Sequence, residues 1–230
     1  MREVLHLDNP SARAISLLYH CSIISESLRM SKHETDKKHD FSAHHAMRVK
    51  IVHAALALAD QIGWDIVTLA DIASECEMSL AELHMYVADK GDVLCALGRL
   101  IDAQVLEGIE DPDPSATPKE RLFDVMMDRY EVLNDYRAGV IAIMHSFKYD
   151  PKQALITMPH LCRSMNWMME AADVQVRGFK GAFVLAGMSG LYLKVLKTWM
   201  EDESPDLSKT MAALDTALAK AEKLAEMIGL

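Results

Sequence analysis

The sequence predicts an all-α protein. Glycine and proline are scarce, at 10 and 7 of 230 residues, which favours long helices over a sheet with many turns. Apolar residues recur three and four positions apart along most of the chain, a spacing typical of one face of a helix. The alternation of apolar and polar residues that marks a β-strand is not found. Because 50% of the residues are hydrophobic, the chain can bury a substantial core.

Residues 1–40 are predicted to be an N-terminal extension in two parts. Asn9-Pro10 is a helix-start signal, and residues 9–30 carry apolar residues at helical spacing, so an amphipathic helix that docks on another surface is expected. Residues 29–50 are polar, with six Lys or Arg against three acids, and they include four histidines. Two interpretations of this polar stretch stay open, a solvated linker and a basic arm that touches phosphates.

Residues 41–95 are predicted to form a domain of three helices, the last two joined by a tight turn. The first helix ends at Gly63, and Thr68 is a good N-cap for the second, because its hydroxyl can accept an amide at the helix start. Ser79 is the next N-cap, and Glu82 three residues later completes a capping box. Two short helices joined in this way indicate a helix–turn–helix, which reads DNA by placing its second helix in the major groove.

The charge of this domain works against DNA binding. Residues 41–95 hold three Lys or Arg against eight acids, and the whole chain has a formal net charge of -10. Because neutralising phosphates supplies much of a protein's affinity for DNA, an acidic domain must keep its acids away from the duplex. The predicted recognition helix also lacks an Arg or Lys to bond guanine. The candidates for base contacts in that helix are Ser79, Leu80, Glu82, His84 and Met85.

Residues 96–230 are predicted to form a larger helical domain. A long connector helix runs from near Lys90 to about Glu110, and the proline-rich stretch 111–118 ends it. The helices expected after this break begin at Pro118, at Asp135-Tyr136, at Pro151, at Pro159 and at residue 178, and the last one covers 206–228.

Methionine is frequent in this second domain. The chain has 16 methionines, many of them in its C-terminal half. Methionine fills irregular spaces and adapts to varied ligands, so these residues indicate either an ordinary bundle core or an apolar pocket. In a pocket, His145 and His160 are candidates to orient a polar head group. The residues predicted to line it are Met126, Met127, Tyr130, Met144, His145, Met165, Trp167, Met168 and Phe183.

Several function classes find no support in the sequence. It has no nucleophile elbow, phosphate-binding glycine loop or metal-ligand spacing, so we expect no catalytic residue, metal or cofactor, and no enzyme. The four cysteines form no CxxC pair, which indicates reduced thiols in a cytoplasmic protein. No signal peptide is expected. The uncharged stretch 181–193 is shorter than the roughly 20 residues of a membrane span, so no integral membrane association is expected.

The spacing within residues 64–94 resembles that of the TetR family of transcriptional regulators. The matching positions are Thr68, Ile72, Ala73, Ser79, Leu83, Tyr86, Lys90 and Leu94. The positions that depart from the family pattern are Cys76, Glu77, Met78, Ala81, His84, Val87 and Val93. The resemblance implies an N-terminal three-helix domain with a helix–turn–helix, followed by a larger helical domain for ligand binding and dimerisation.

The same resemblance implies how such a protein works. Helices 178–200 and 206–228 would pair across a two-fold axis into a homodimer. Thr68, Tyr86 and Lys90 would contact phosphates of operator DNA. An apolar small molecule or lipid would act as the effector of this repressor.

The C-terminal end resembles a second group, the TetR-like lipid-binding accessory proteins of ubiquinone biosynthesis. The residues that carry this resemblance are Gly63, Trp64, Asp202, Ser204, Pro205, Asp206 and Thr210. It implies the same fold without DNA binding, with a cavity that holds an isoprene lipid in a protein that assists a hydroxylase. A third hypothesis is a relative that serves only as an interaction module.

Overall fold

The computed structural model describes residues 42–109, 113–148, 151–174 and 178–227. These residues form nine helices and no strand, which confirms the all-α class. The helix predicted over 9–30 and the polar residues that precede 42 lie outside the described residues.

The described helices are numbered in chain order. Helix α1 covers residues 42–62, followed by α2 (Leu69–Glu75), α3 (Leu80–His84) and α4 (Lys90–Gly108). The later helices are α5 (Pro118–Asn134), α6 (Arg137–Ser146), α7 (Pro151–Ala171), α8 (Gly178–Met200) and α9 (Ser208–Met227).

The chain divides by its internal contacts into two units, Met1–Met47 and Arg48–Leu230. The described part of the first unit is the start of α1, residues 42–47. The helical core, the cavity and the contacts of residues 48–227 lie within the second unit.

The end of α1 depends on a glycine, as the sequence predicts. Gly63 has a φ of +88°, in the left-handed region that L side chains rarely adopt. Its amide donates to the carbonyl of Ala59 at 3.0 Å, which closes the last turn of α1. A Cβ at this position would also stand 3.0 Å from a carboxylate oxygen of Asp65. The chain therefore leaves α1 through a left-handed residue at which a larger side chain would be strained.

The helices after α3 form the larger part of the core. Helix α4 packs against α5 and α7, α8 packs against α7 and α9, and α5 also contacts α9. Helix α6 reaches α1 through Gly139, where a Cβ would lie 2.7 Å from the carbonyl oxygen of Leu56. These two helices can approach this closely only because residue 139 has no side chain.

Helix α7 corrects one prediction. The two prolines predict separate helices beginning at Pro151 and Pro159, but α7 is continuous from Pro151 to Ala171 and Pro159 lies inside it. A proline inside a helix leaves the carbonyl four residues earlier without its amide partner. Leu155, which carries that carbonyl, is an exposed residue, and so is Pro159. Water can therefore satisfy the carbonyl, and the helix continues through the proline.

The acidic turn between α8 and α9 is held by a buried carboxylate. Asp202 is 1% exposed, and its Oδ2 accepts hydrogen bonds from the amide and the hydroxyl of Thr210, both at 2.8 Å. Its Oδ1 accepts from the amide of Ser204 at 3.1 Å and from the Ser204 hydroxyl. Burial raises the pKa of Asp202, but these hydrogen bonds outweigh it and hold the pKa well below its ordinary value.

The end of α8 is capped from another helix. The Arg137 guanidinium, at the start of α6, donates to the carbonyls of Trp199 at 2.8 Å and Asp202 at 2.7 Å. It also lies over the Trp199 ring, 4.6 Å from the ring centroid. A side chain from a distant part of the chain thus adds hydrogen bonds to the carbonyls at the end of this helix.

We expect Asp202→Asn to destabilise the fold by about 1.5–3 kcal/mol at pH 7, because charge-assisted hydrogen bonds become neutral ones. A carboxylate with a lowered pKa stabilises the fold above its unfolded-state pKa of about 4, and this contribution is lost as the pH falls below that value. Urea unfolding at pH 7 and at pH 3.5 measures both effects, and the variant should lose less stability on acidification than the parent protein.

Asp206→Asn is the matched control for this experiment. Asp206 lies in the same turn but is exposed, and its carboxylate accepts only a 3.3 Å bond from the amide of Ser208. Its substitution should therefore change stability far less. Equal effects of the two substitutions would contradict the role given to Asp202.

Candidate nucleic-acid interface and ligand cavity

Helices α2 and α3 form a helix–turn–helix whose two starts are both capped. The amide of Asp71 donates to the Thr68 hydroxyl oxygen at 3.1 Å, and the Asp71 carboxylate accepts from the Thr68 amide at 2.8 Å. The same reciprocal bonds join Ser79 and Glu82, with the Ser79 amide donating to the Glu82 carboxylate at 2.7 Å. Hydrogen bonds from Thr68 lower the pKa of Asp71, and those from Ser79 lower the pKa of Glu82, so both acids stay ionised.

The turn between the two helices contains a strained residue. Glu77 has a φ of +56°, a left-handed conformation that favours glycine. Position 77 is one of those at which the sequence departs from the TetR pattern. The turn keeps its shape because the amides of Glu77 and Met78 donate to the carbonyls of Ser74 and Ala73, at 3.0 and 2.9 Å.

The cations of this region bind other groups of the same chain, although Lys50 is exposed. Lys90 Nζ donates to the carbonyls of Trp64 and Val67, at 2.5 and 2.7 Å, and lies 4.4 Å from the Trp64 ring centroid. Lys50 Nζ donates to the carbonyl of Cys76 at 2.8 Å. Arg48 forms an ion pair with Asp92 at 3.0 Å. All three Lys or Arg side chains within residues 48–95 therefore join α1 and the loop after it to the end of α2 or to the start of α4.

The predicted DNA contacts fall into two groups. Thr68, Ser79 and Glu82 are exposed but take part in the capping bonds, and Lys90 points to the loop after α1. Leu80 and His84 are exposed on α3, and Tyr86, just after this helix, is half-buried. The contacts of these side chains with DNA stay predictions.

A cavity of about 550 Å³ opens in the larger helical region, a size within the range of about 300–1,000 Å³ found for ligand pockets. Successive turns of α4 form one wall, and α5, α6, α7 and α8 supply the others. The border is mainly apolar, and Trp167, which is 56% exposed, stands where it meets solvent. The apolar residues along this border include Leu97, Ile101, Leu133, Val140, Ile143, Met144, Phe147, Leu161 and Leu196.

One region of the cavity border is polar. Arg129 is 3% exposed and forms an ion pair with Asp102, and the Ser164 hydroxyl donates to the same carboxylate at 2.6 Å. The Arg129 guanidinium lies 5.3 Å from the ring centroid of Tyr192. Its Nε has no hydrogen-bond partner among the described residues. Helices α4, α5, α7 and α8 thus meet around one buried charged pair.

The structure brings only part of the predicted pocket together. Met144 and Trp167 border the cavity. The buried residues Met126, Met127, Tyr130, Met165 and Met168 do not border it. His145 is exposed on a separate depression beside the end of α1, and Phe183 is exposed on α8.

Tyr130 shows why a buried residue need not face the cavity. Its hydroxyl donates to the carbonyl of Tyr192 at 3.0 Å, and the two rings stack with their centroids 5.6 Å apart. Burial raises the pKa of Tyr130 well above its ordinary value, so the hydroxyl keeps the proton that it donates. Tyr130 therefore acts as a link between α5 and α8.

His160, which the sequence suggested for a polar head group, borders the cavity, but sequence reasoning missed Arg99, Asp102, Arg129, Arg163 and Ser164. One pattern could have found two of them. Asp102 follows Ile101 within the apolar stripe of α4, and Arg129 lies among the buried residues of α5. A charged residue on a buried helix face needs a partner of opposite charge, so the two could have been paired.

Two further findings concern the described part of the chain. No group of three or more His, Cys, Asp or Glu side chains there is arranged to hold a metal ion. Among the helices of these residues, none has the length and apolar character needed to cross a membrane.

Comparison with known proteins gives matches to solved structures. A TetR transcriptional regulator from Nitrosomonas europaea is 25% identical, with a TM-score of 0.59 over 77% of this chain and 99% of that one. A TetR transcriptional regulator from Rhodococcus sp. RHA1 is 15% identical, with a TM-score of 0.54 over 76% and 95% of the two chains. A TetR-family regulator from Streptomyces coelicolor is 17% identical, with a TM-score of 0.51 over 77% and 83%.

No protein-family model and no curated protein matches the sequence. The structural matches nevertheless extend over nearly the full length of the first two regulators. They confirm the resemblance carried by residues 64–94, and the chain has the fold of the TetR-family transcriptional regulators.

Proposed function

We propose that the protein is a binding protein rather than an enzyme, a homodimeric TetR-type regulator that responds to an apolar small molecule. In this proposal residues 41–95 form the DNA-binding domain and residues 96–230 the domain for ligand binding and dimerisation. The observation that carries it is the position of α4. This helix begins directly after the helix–turn–helix, and its next turns form a wall of the cavity.

A ligand in the cavity would touch α4 itself. Leu94, Leu97 and Ile101 present apolar side chains to the cavity along one face of this helix. A ligand that binds better when α4 is in one position than in another would increase the fraction of molecules with α4 in that position. In a dimer, such a shift would alter the separation of the two helix–turn–helix units, on which binding to two operator half-sites depends.

Helices α8 and α9 support the proposed dimer. They pack side by side, and their exposed surfaces carry apolar residues, among them Phe183 on α8 and Met211 on α9. Gly187 and Gly190 on α8 are exposed, and a Cβ at either would meet no atom within 4 Å. Small residues next to exposed apolar side chains suit close packing against a second copy.

DNA binding has support from α3. Leu80 and His84 leave an apolar and a polar side chain available to the major groove. The cations within residues 48–95 are engaged internally, so phosphate contacts would have to come from hydroxyl and amide groups or from the polar residues 29–41. Contacts from hydroxyl and amide groups alone would make the affinity for the operator fall less steeply with salt than is usual, whereas contacts from the Lys and Arg of residues 29–41 would keep the usual dependence.

A second candidate function is favoured by the same cations. Lys50 and Lys90 donate to backbone carbonyls of the same chain. A DNA-binding surface would need their positive charge for contacts with phosphates. A TetR-fold protein that binds a lipid and no operator, as in the accessory proteins of ubiquinone biosynthesis, fits this observation. The two candidates share the cavity and differ in DNA binding.

The cavity is tested by filling it from α4. Gly98 borders the cavity, and a Cβ there would meet no atom within 4 Å, so Gly98→Phe places a ring in the open space. We expect the purified protein to release an apolar molecule on organic extraction, and the variant to bind it at least about tenfold more weakly, a loss of about 1.4 kcal/mol. Mass spectrometry of the extracts, including a search for isoprenoid lipids, measures the difference.

Gly98→Ala is the control, because it changes the helix in the same place without filling the cavity. It should retain the ligand and stabilise α4 slightly. If the parent protein is consistently empty and takes up no apolar compound, the cavity does not have the proposed role.

The dimer is tested by placing a charge on α8. Light scattering after size-exclusion chromatography should give twice the chain mass of 25.7 kDa for the parent protein. Gly190→Glu should give a folded monomer, because the new side chain is tolerated in the single chain but would bury a charge between two copies. Asn166→Glu, at an exposed position of α7, should leave the dimer intact. A monomeric parent protein would refute the proposal.

DNA binding is tested with the DNA that flanks the protein's own gene, by gel shift and footprinting at about 50 mM salt. His84→Ala should weaken operator binding about tenfold, through the loss of a base contact. His145→Ala, an exposed histidine on α6, is the matched control and should leave it unchanged. Lys90 is unsuitable as a probe of contact, because its substitution would release the carbonyls of Trp64 and Val67.

The outcome separates the two candidate functions. Protection of a site by the parent protein, weakened in the His84 variant, supports the regulator. Absence of protection at low salt, together with a bound apolar molecule, refutes the regulator and leaves the lipid-binding accessory protein.

A further inference from the structure

The charged side chains at the cavity border are not balanced. Arg99, Arg129, Arg163 and Asp102 border the cavity, so three positive charges face one negative charge. Arg129 neutralises Asp102 in the buried ion pair, which leaves the guanidinium groups of Arg99 and Arg163 in excess. A local excess of positive charge is unexpected in a chain whose formal net charge is -10.

Arg99 and Arg163 lie near the same part of the cavity wall. Arg99 lies on α4 and Arg163 on α7, and both are exposed. Burial raises the pKa of the Cys95 thiol, and the positive charges of Arg99 and Arg163 oppose this shift. Both guanidinium groups are thus close enough to act on Cys95, which itself borders the cavity.

Neither arginine is committed to a strong internal ion pair. Arg99 is 66% exposed at its side chain and lies 3.6 Å from Asp92, an arrangement that contributes little in water. Asp92 also accepts a shorter bond from Arg48. For Arg163, no ion pair is found among the residues that the structure describes. Both groups can therefore turn to a ligand at modest cost.

We infer that the cavity binds a single-chain amphiphile with an anionic head group, a carboxylate or a phosphate, held at the mouth by Arg99 and Arg163. The apolar tail lies along Leu97, Ile143 and Leu196 in the cavity. Guanidinium groups suit this role because their planar donors match carboxylate and phosphate oxygens. The inference rests on the proposed function, since it requires that the cavity bind an apolar molecule.

Four probes with the same twelve-carbon chain test the head group. Dodecanoate, dodecyl phosphate, dodecanol and dodecylamine are titrated below their micelle concentrations and followed by Trp167 fluorescence, because Trp64 and Trp199 are fully buried away from the cavity. We expect at least one of the two anions to bind about tenfold more tightly than the alcohol, and the amine to bind most weakly. The stronger of the two anions identifies the head group as carboxylate or phosphate.

The variant R99Q/R163Q isolates the charge effect. It should bind the anions no more tightly than the parent protein binds dodecanol, and its affinity for dodecanol should not change. K209Q/K220Q also removes two positive charges, but from exposed positions on α9 that do not border the cavity. This control should keep the preference for anions. Melting temperatures of both double variants verify that they are folded.

The outcomes distinguish this inference from the function on which it rests. Equal binding of anion and alcohol, tighter binding of the amine, or an anion preference that survives in R99Q/R163Q would overturn the inference while the apolar cavity stands. If none of the four probes binds, the proposed ligand binding fails as well.

Discussion

The buried ion pair between Arg129 and Asp102 is the interaction on which the larger helical region depends. It joins α5 to α4, Ser164 extends it to α7, and the ring of Tyr192 brings in α8. Removing one partner of such a pair leaves an uncompensated buried charge, at a cost of about 3–5 kcal/mol. The four helices are therefore fixed around the same point. Because that point lies on the cavity border, one arrangement both holds the helices and gives an apolar cavity a polar region.

A second constraint explains how a TetR fold coexists with an acidic helix–turn–helix. Lys50 and Lys90 donate to backbone carbonyls of the turn before α3 and of the loop after α1, and Arg48 pairs with Asp92. The Lys and Arg side chains that could contact phosphates instead connect α1, the loop after α1, the turn before α3 and the start of α4. These structural roles explain how a chain with so few free cations in this region keeps the fold of a DNA-binding family. The Asp202 turn has an equally structural role, since its polar groups close the connection between α8 and α9.

Local features were predicted well and distant ones were not. The N-caps at Thr68 and Ser79, the end of α1 at Gly63 and the helix over 178–200 follow from neighbouring residues, and the structure has all of them. The break at Pro159 was wrong, because the carbonyl that the proline leaves free belongs to Leu155, an exposed residue that solvent can reach. Most of the methionines predicted to line the pocket fill the core instead. Periodicity identifies the apolar face of a helix but cannot show whether that face meets another helix or an open space.

The sequence by itself determined the all-α class, the helix–turn–helix and its register, because caps and apolar stripes act over three or four residues. Only the tertiary structure decided what those helices enclose. The pairing of Arg129 with Asp102 joins residues 27 positions apart, and that of Arg48 with Asp92 joins residues 44 apart. Such pairs form when helices pack, and packing also creates the cavity and selects which arginines border it. The charge and size of a binding site belong to surfaces brought together by folding, so they cannot be read from any one stretch of the chain.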